Sequence, residues 1–189
     1  MVIDPKQLPP EDEAVLAATR RWLERAVIGL NLCPFAKAVH IKKQIRYVVS
    51  AAQTTEALLA DLITELRTLQ AADAAEIDTT LLVHPRVLGD FLDYNDFLEL
   101  ADAAVAGEGL EGEIQLASFH PQYQFAGTRP EDIGNYSNRS PYPTLHLLRE
   151  ASIDRAVAAF PDAGEIFERN IETLRHLGHD GWRRLLEGE

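Results

Sequence analysis

Apolar residues recur along the chain with two alternating periods, and the switches between them lay out its elements. After the start signal Pro9-Pro10-Glu11-Asp12-Glu13, Val15, Leu16, Trp22, Leu23, Ala26, Val27 and Leu30 follow at helical spacing. They predict a helix near 12–30, with Asn31 as its stop. Gln44–Ser50 (QIRYVVS) reads as a strand. Thr54 and Thr55 then precede the stripe Leu58, Leu59, Leu62, Ile63, Leu66 and Leu69, which marks a second helix. Thr79–His84 (TTLLVH) is a short strand of buried type, a third helix is expected from about Asn95 to Ala106 with Gly107 and Gly109 ending it, and Glu113–Phe119 (EIQLASF) is the next strand. This β-α-β-α-β order predicts an α/β fold: a small, mainly parallel sheet of about three strands, with right-handed crossovers and helices packed on its faces. Thr79–His84 and Glu113–Phe119 are expected to be neighbouring parallel strands.

Beyond Phe119 no helical pattern returns until Thr144, so about 24 residues form one connection, with room for a short extra strand around Gln122–Phe125. Connections longer than about 12–15 residues are uncommon in compact domains and tend to carry function. This one, HPQYQFAGTRPEDIGNYSNRSPYP, holds three of the five tyrosines and four of the ten prolines, which predicts an ordered, binding loop. From Thr144 the chain is expected to be helical. Thr144 reads as an N-cap, a helix runs from Leu145 to about Phe160 with a break at Ser152, another runs from Ala163 to Leu177 with Gly178 as its stop, and a turn follows around Trp182. No linker or repeat interrupts the pattern, so 1–189 is expected to be one domain.

Charge narrows the partners. The 18 Lys and Arg against 30 Asp and Glu give a net charge of −12, which disfavours nucleic-acid phosphates and anionic lipid. Residues 1–50 are nevertheless basic by three charges, mostly through Lys37, Lys42, Lys43 and Arg46, which reads as a solvated face or as a local field for a small anion. One cysteine, Cys33, excludes an internal disulfide. The start MVIDPKQLPP lacks a basic stretch followed by an apolar one, and no apolar run approaches the ~20 residues of a membrane span, so the chain is expected in the cytoplasm.

The candidate chemistry is concentrated at strand ends. His84-Pro85 and His120-Pro121 each put an imidazole at the carboxyl end of a predicted strand, where α/β sheets bind ligands. Either could act as general acid or base, or simply cap its strand. His146 would lie in the first turn of the helix from Thr144, with Glu150 one turn on, and the helix dipole would favour a neutral imidazole beside an anion. Arg139, stiffened by Pro141 and Pro143, would fold back over that helix start; its alternative is a pair with Asp132 or Glu131. Asn138, Tyr123 and Arg149 complete the expected substrate wall. Cys33 is either a small buried residue or a nucleophile activated by the cations after it. Convergence of His84, His120, His146 and Glu150 would suit zinc or another transition ion, but their spacing is unspecific and no tightly bound metal is expected. Gly107-Glu108-Gly109-Leu110-Glu111-Gly112 has dinucleotide-loop spacing but follows a helix and precedes a strand, the reverse of the order such a loop needs. The sequence names no cofactor and says nothing of oligomeric state.

The segments Asn31-Leu32-Cys33-Pro34-Phe35, Leu82-Val83-His84-Pro85, Asp93-Tyr94-Asn95-Asp96-Phe97-Leu98, His120-Pro121-Gln122-Tyr123-Gln124-Phe125 and Asn138-Arg139-Ser140-Pro141-Tyr142-Pro143, continuing through His146-Leu147-Leu148-Arg149-Glu150, together resemble the bacterial family known as domain of unknown function 1415. The resemblance spans nearly the whole chain and implies a free-standing domain; it brings no catalytic assignment. The residues themselves favour an enzyme acting on a small anionic metabolite at a His/Arg-lined crevice. A non-catalytic anion-binding module and a partner-binding protein are the alternatives.

Overall fold

The computed structural model describes residues 10–159 and 165–187. Helix α1 (Pro10–Trp22) winds wider into a π-helical stretch (Leu23–Ile28), and Asn31, in the left-handed region at φ 55°, ends it as expected. There follow α2 (Ala36–Ile41), β1 (Ile45–Val49), α3 (Thr55–Ala71), β2 (Thr79–Val83), α4 (Phe91–Gly107), β3 (Ile114–Phe119), a 3-10 turn (Ile133–Asn138), β4 (Thr144–Arg149), α5 (Glu150–Ala159) and α6 (Ile166–Glu187). Helix α3 starts where Thr54 accepts a hydrogen bond from the Ala57 amide. Helix α4 starts four residues before its predicted Asn95, because the Asp90 carboxylate caps the Leu92 and Asp93 amides.

The sheet corrects the predicted topology. Its order is β1-β2-β4-β3; β1 and β2 are parallel, while β4 runs antiparallel to both β2 and β3. The fold is α/β with a mixed four-stranded sheet, and β2 and β3 are separated by a strand instead of adjacent. The extra strand is therefore residues 144–149, while Gln122–Phe125 forms no strand. Thr144 is no N-cap and Ser152 breaks no helix. Pro141 and Pro143 favour extended chain ahead of this segment, and Leu145 and Leu147, both fully buried, gain more from the sheet than from a helix start. The expected helix start at Ala163, the helix end near Phe160 and the opening segment before Pro10 lie outside the described residues.

Register assigns the faces. Arg46, Val48, Thr80, Leu82, Leu145, Leu147, Ile114 and Leu116 share one face, which α3 and α4 cover through Leu58, Leu62, Leu66, Leu69, Phe97 and Ala101. Ile45, Tyr47, Leu81, His146, Ala117 and Phe119 share the other, against which Trp22, Leu23, Ala26, Leu174 and Trp182 pack. Helix α6 is broken at Gly178 (φ 68°, ψ 172°), a conformation essentially confined to glycine, and the chain after it swings Trp182 back onto this second core. No described helix is long and apolar enough to cross a membrane.

Candidate functional site

Because β2 and β3 both oppose β4, their carboxyl ends reach the same rim of the sheet. There the His84 amide donates to the Pro143 carbonyl (3.0 Å) and the His120 amide to that of Asn138 (3.2 Å). Both side chains are fully buried on the α3/α4 face, with the fully buried Tyr94 of α4 between them: ring centroids lie 5.7 Å from His84 and 5.1 Å from His120. The Tyr94 hydroxyl donates to the Thr144 carbonyl (2.9 Å) and accepts from the Phe119 amide (3.1 Å), tying α4 to the ends of β3 and β4.

The two imidazoles differ in what they leave available. A carbonyl is an acceptor, so His84 Nδ1, 3.1 Å from the Val87 oxygen, carries the proton. Its Nε2 is then a lone pair, buried and without a hydrogen-bond partner among the described residues. Burial, reinforced by His120, holds His84 down at about 4. His120 uses both nitrogens: Nε2 donates to the Leu88 carbonyl (3.1 Å) and Nδ1 accepts from the Gln122 amide (3.0 Å). Burial lowers its pKa too, opposed by the Leu88 carbonyl and the Asp90 carboxylate. Leu88, gripped this way, sits at φ 57°, a strained backbone for a leucine.

The other predicted residues do not gather here. His146 lies in the middle of β4 on the opposite face, so the sheet separates it from His84 and His120, and no helix dipole acts on it. Its Nε2 donates to Thr79 Oγ1 (2.6 Å), whose own proton goes to the Leu147 carbonyl, and burial lowers its pKa to about 4. Arg149 and Glu150 are at the far end of β4, roughly 17 Å from the rim at ~3.4 Å per residue. Arg149 donates to the carbonyls of Leu69, Ala72 and Ile77, closing the C-terminus of α3, and the Glu150 amide donates to Glu113. Cys33 is half-buried against the second core, and burial raises its pKa, the reverse of an activated thiol. The cations expected to activate it are not seen to pair with it. Arg46 lies on the α3/α4 face, bound to Glu65 by two hydrogen bonds (2.7 and 3.1 Å), and Lys37, Lys42 and Lys43 are exposed. Among the described residues no three His, Cys, Asp or Glu side chains are grouped as a metal ion requires.

The long loop is ordered over the rim. Asn138 Nδ2 donates to the Ser118 carbonyl (3.1 Å), and the buried Asn135 ties Phe125, Thr128 and Arg129 together. Tyr123 packs against Phe91 and Phe125. Arg139 does not fold over Thr144 or pair with Asp132 or Glu131. Its Nε donates to the Tyr123 carbonyl (3.2 Å), one Nη to that of Pro130 (2.6 Å), and its guanidinium lies 4.3 Å over the Tyr136 ring. It forms no ion pair with a carboxylate among the described residues.

Arg139 lines two cavities at this end of the sheet. The first, about 350 Å³ and open to solvent, is lined by Ala18 and Arg21 of α1, Trp182 and Leu186 of α6, and Pro121, Tyr136, Ser140 and Pro141 of the loop. Arg21, like Arg139, has no carboxylate partner among the described residues, and none of the described residues lining this cavity is an acid. The second, about 570 Å³, lies on the α4 side between Asp90, Phe91, Leu92, Gln122, Gln124, Pro130 and Glu131, so two acidic residues share its lining with Arg139. Phe91 separates it from the histidines, its ring 5.5 Å from that of His120. Sequence reasoning missed Tyr94, Arg21, Trp182 and Ser50. Ser50 is buried at the end of β1 beside His84, and its hydroxyl donates to Asp61 (2.6 Å). A polar residue closing an apolar strand was its one available signal.

Residues 14–184 match the model of the family described as protein of unknown function (DUF1415), and the chain belongs to that family. No curated protein and no solved structure matches it.

Proposed function

We propose that this DUF1415 protein binds a small anionic metabolite at the rim of its sheet, in the 350 Å³ cavity walled by Arg21 and Arg139. The observation that carries the reading is Arg139: a half-buried guanidinium, fixed by two carbonyls and the Tyr136 ring, that forms no ion pair with a carboxylate among the described residues. Fixing the fork before a ligand arrives removes much of the ordering cost of binding, and a guanidinium grips carboxylate or phosphate through charge-assisted hydrogen bonds of roughly 1.5–3 kcal/mol each. The net charge of −12 is screened beyond about 8 Å, and the described residues lining this cavity include two cations and no acid. The single cysteine suits a cytoplasmic setting.

Thermal stabilisation by inorganic phosphate and by succinate tests the reading. Both anions should stabilise the protein saturably. Arg21→Gln should weaken that effect about tenfold, the equivalent of ~1.4 kcal/mol, without moving the ligand-free melting temperature, since Arg21 makes no described ion pair. Failure of every anion to stabilise the parent protein, or equal binding by Arg21→Gln, refutes it.

The unpartnered Nε2 of His84 favours a second, catalytic reading. With Nδ1 fixed on Val87, His84 would be the general base toward a substrate group that reaches its Nε2. His120, with both nitrogens engaged, would hold the loop. In that case His84→Gln abolishes turnover while anion binding persists; loss of both together would reduce His84 to packing.

A further inference from the structure

We infer that the ligand of the 350 Å³ cavity is a ring-bearing anion: one flat aromatic or heteroaromatic ring carrying a phosphate or carboxylate group. The inference rests on the anion-binding reading and adds what the remaining wall selects. Apart from Arg21 and Arg139, that wall is made chiefly of Tyr136, Trp182, Pro121 and Pro141. An aliphatic polyanion would place charge against these apolar groups and leave them without contact, whereas a ring fills the space between them and gains edge-to-face packing with the aromatics. The volume sets the size. Small-molecule sites span roughly 300–1,000 Å³, and this one lies at the lower end, enough for one ring system with its anionic group.

The aromatics are held in place independently of any ligand. Trp182 packs edge-on to Tyr136 at 5.4 Å, and His179 does the same at 5.3 Å while its Nε2 donates to the Glu131 carbonyl (2.9 Å). The chain after Gly178 is thereby pinned to the loop, and the Tyr136 ring, with Arg139 on its face, is fixed from three sides. The Arg139 guanidinium and the rings thus form one rigid corner, in which charge and apolar surface adjoin. A rigid corner of this kind discriminates by shape as well as by charge.

Isothermal titration of the full chain with inorganic phosphate, phenyl phosphate, acetate and benzoate tests the inference, with Trp fluorescence as a second readout in a Trp22→Phe background that leaves Trp182 as the reporter. Phenyl phosphate should bind at least tenfold tighter than phosphate, or benzoate at least tenfold tighter than acetate. The tighter ring anion should perturb Trp182 emission, and Arg21→Gln should weaken it about tenfold. Whether the phosphate or the carboxylate pair shows the larger gain identifies the anionic group. Equal affinity within both pairs overturns the ring inference while leaving the anion-binding reading intact. Ring-anion binding indifferent to Arg21→Gln or silent at Trp182 overturns it by placing the ligand elsewhere, and absence of binding by all four probes overturns both.

Discussion

Lowering the pH from 7 to 5 should destabilise this protein through two histidines that do not touch one another. His146 is held at about 4 by burial, against an ordinary value of 6.5, and its neutral ring already donates its one proton to Thr79. His84, on the other face of the sheet, is held at about the same value. In both the folded state prefers the neutral ring, so the unfolded chain binds the proton first. The stabilisation is whole above 6.5, falls as pH drops through that value, and is fully lost near 4. A difference of about 2.5 units is roughly 3 kcal/mol per histidine in total, of which about 2 kcal/mol is lost by pH 5. Urea denaturation at pH 7, 6 and 5 measures the slope. His146→Gln keeps an amide donor for Thr79 but does not titrate, so subtracting its slope from that of the parent cancels every other ionisation. The parent should lose about 2 kcal/mol more than the variant between pH 7 and 5. Equal slopes would show that His146 is not buried neutral as described, and the reasoning would fail.

Tyr94→Phe should cost about 1–3 kcal/mol in denaturant unfolding, because it removes the hydroxyl that accepts from the Phe119 amide and donates to the Thr144 carbonyl. Arg149→Met should cost a similar amount by uncovering the Leu69 and Ala72 carbonyls at the end of α3 and that of Ile77 ahead of β2, yet leave phosphate affinity unchanged in titration, since it lies at the far end of β4. Native Cys33 should react with a soluble disulfide reagent more slowly than the same thiol in urea at equal pH, because burial raises its pKa; equal rates would restore it as a candidate nucleophile.

The chain read well wherever information was local. Thr54 and the leucine stripe behind it gave α3, and TTLLVH gave β2, because caps and periodicity act over a few residues. Thr144-Leu-His-Leu-Leu-Arg misled because Leu145, Leu147 and Leu148 fit a strand and a helix start equally well. What decides between them is the space that β2 and β3 leave for a strand, which no local pattern contains. Placement at strand ends brought His84 and His120 to one rim despite that error, since β2 and β3 still point the same way. Arg149 was misread as a ligand contact because its partners stand 72 to 80 residues earlier. Arg46 was misread as a neighbour of Cys33 because strand alternation turns it through the sheet to Glu65.

The late position of β4 matters while the chain is being made. During synthesis β1 and β2 can meet early, but β3 has no strand neighbour until residues 144–149 leave the ribosome, and Leu145 and Leu147 then complete the cluster beneath α3 and α4. Pairing Thr79 with Leu148 closes a long stretch of sequence at once, a step that slows folding and keeps apolar surface exposed to chaperones and proteases in the interim. Trp182 and Leu186 emerge later still, so a nascent or truncated chain has neither a closed sheet nor a cavity.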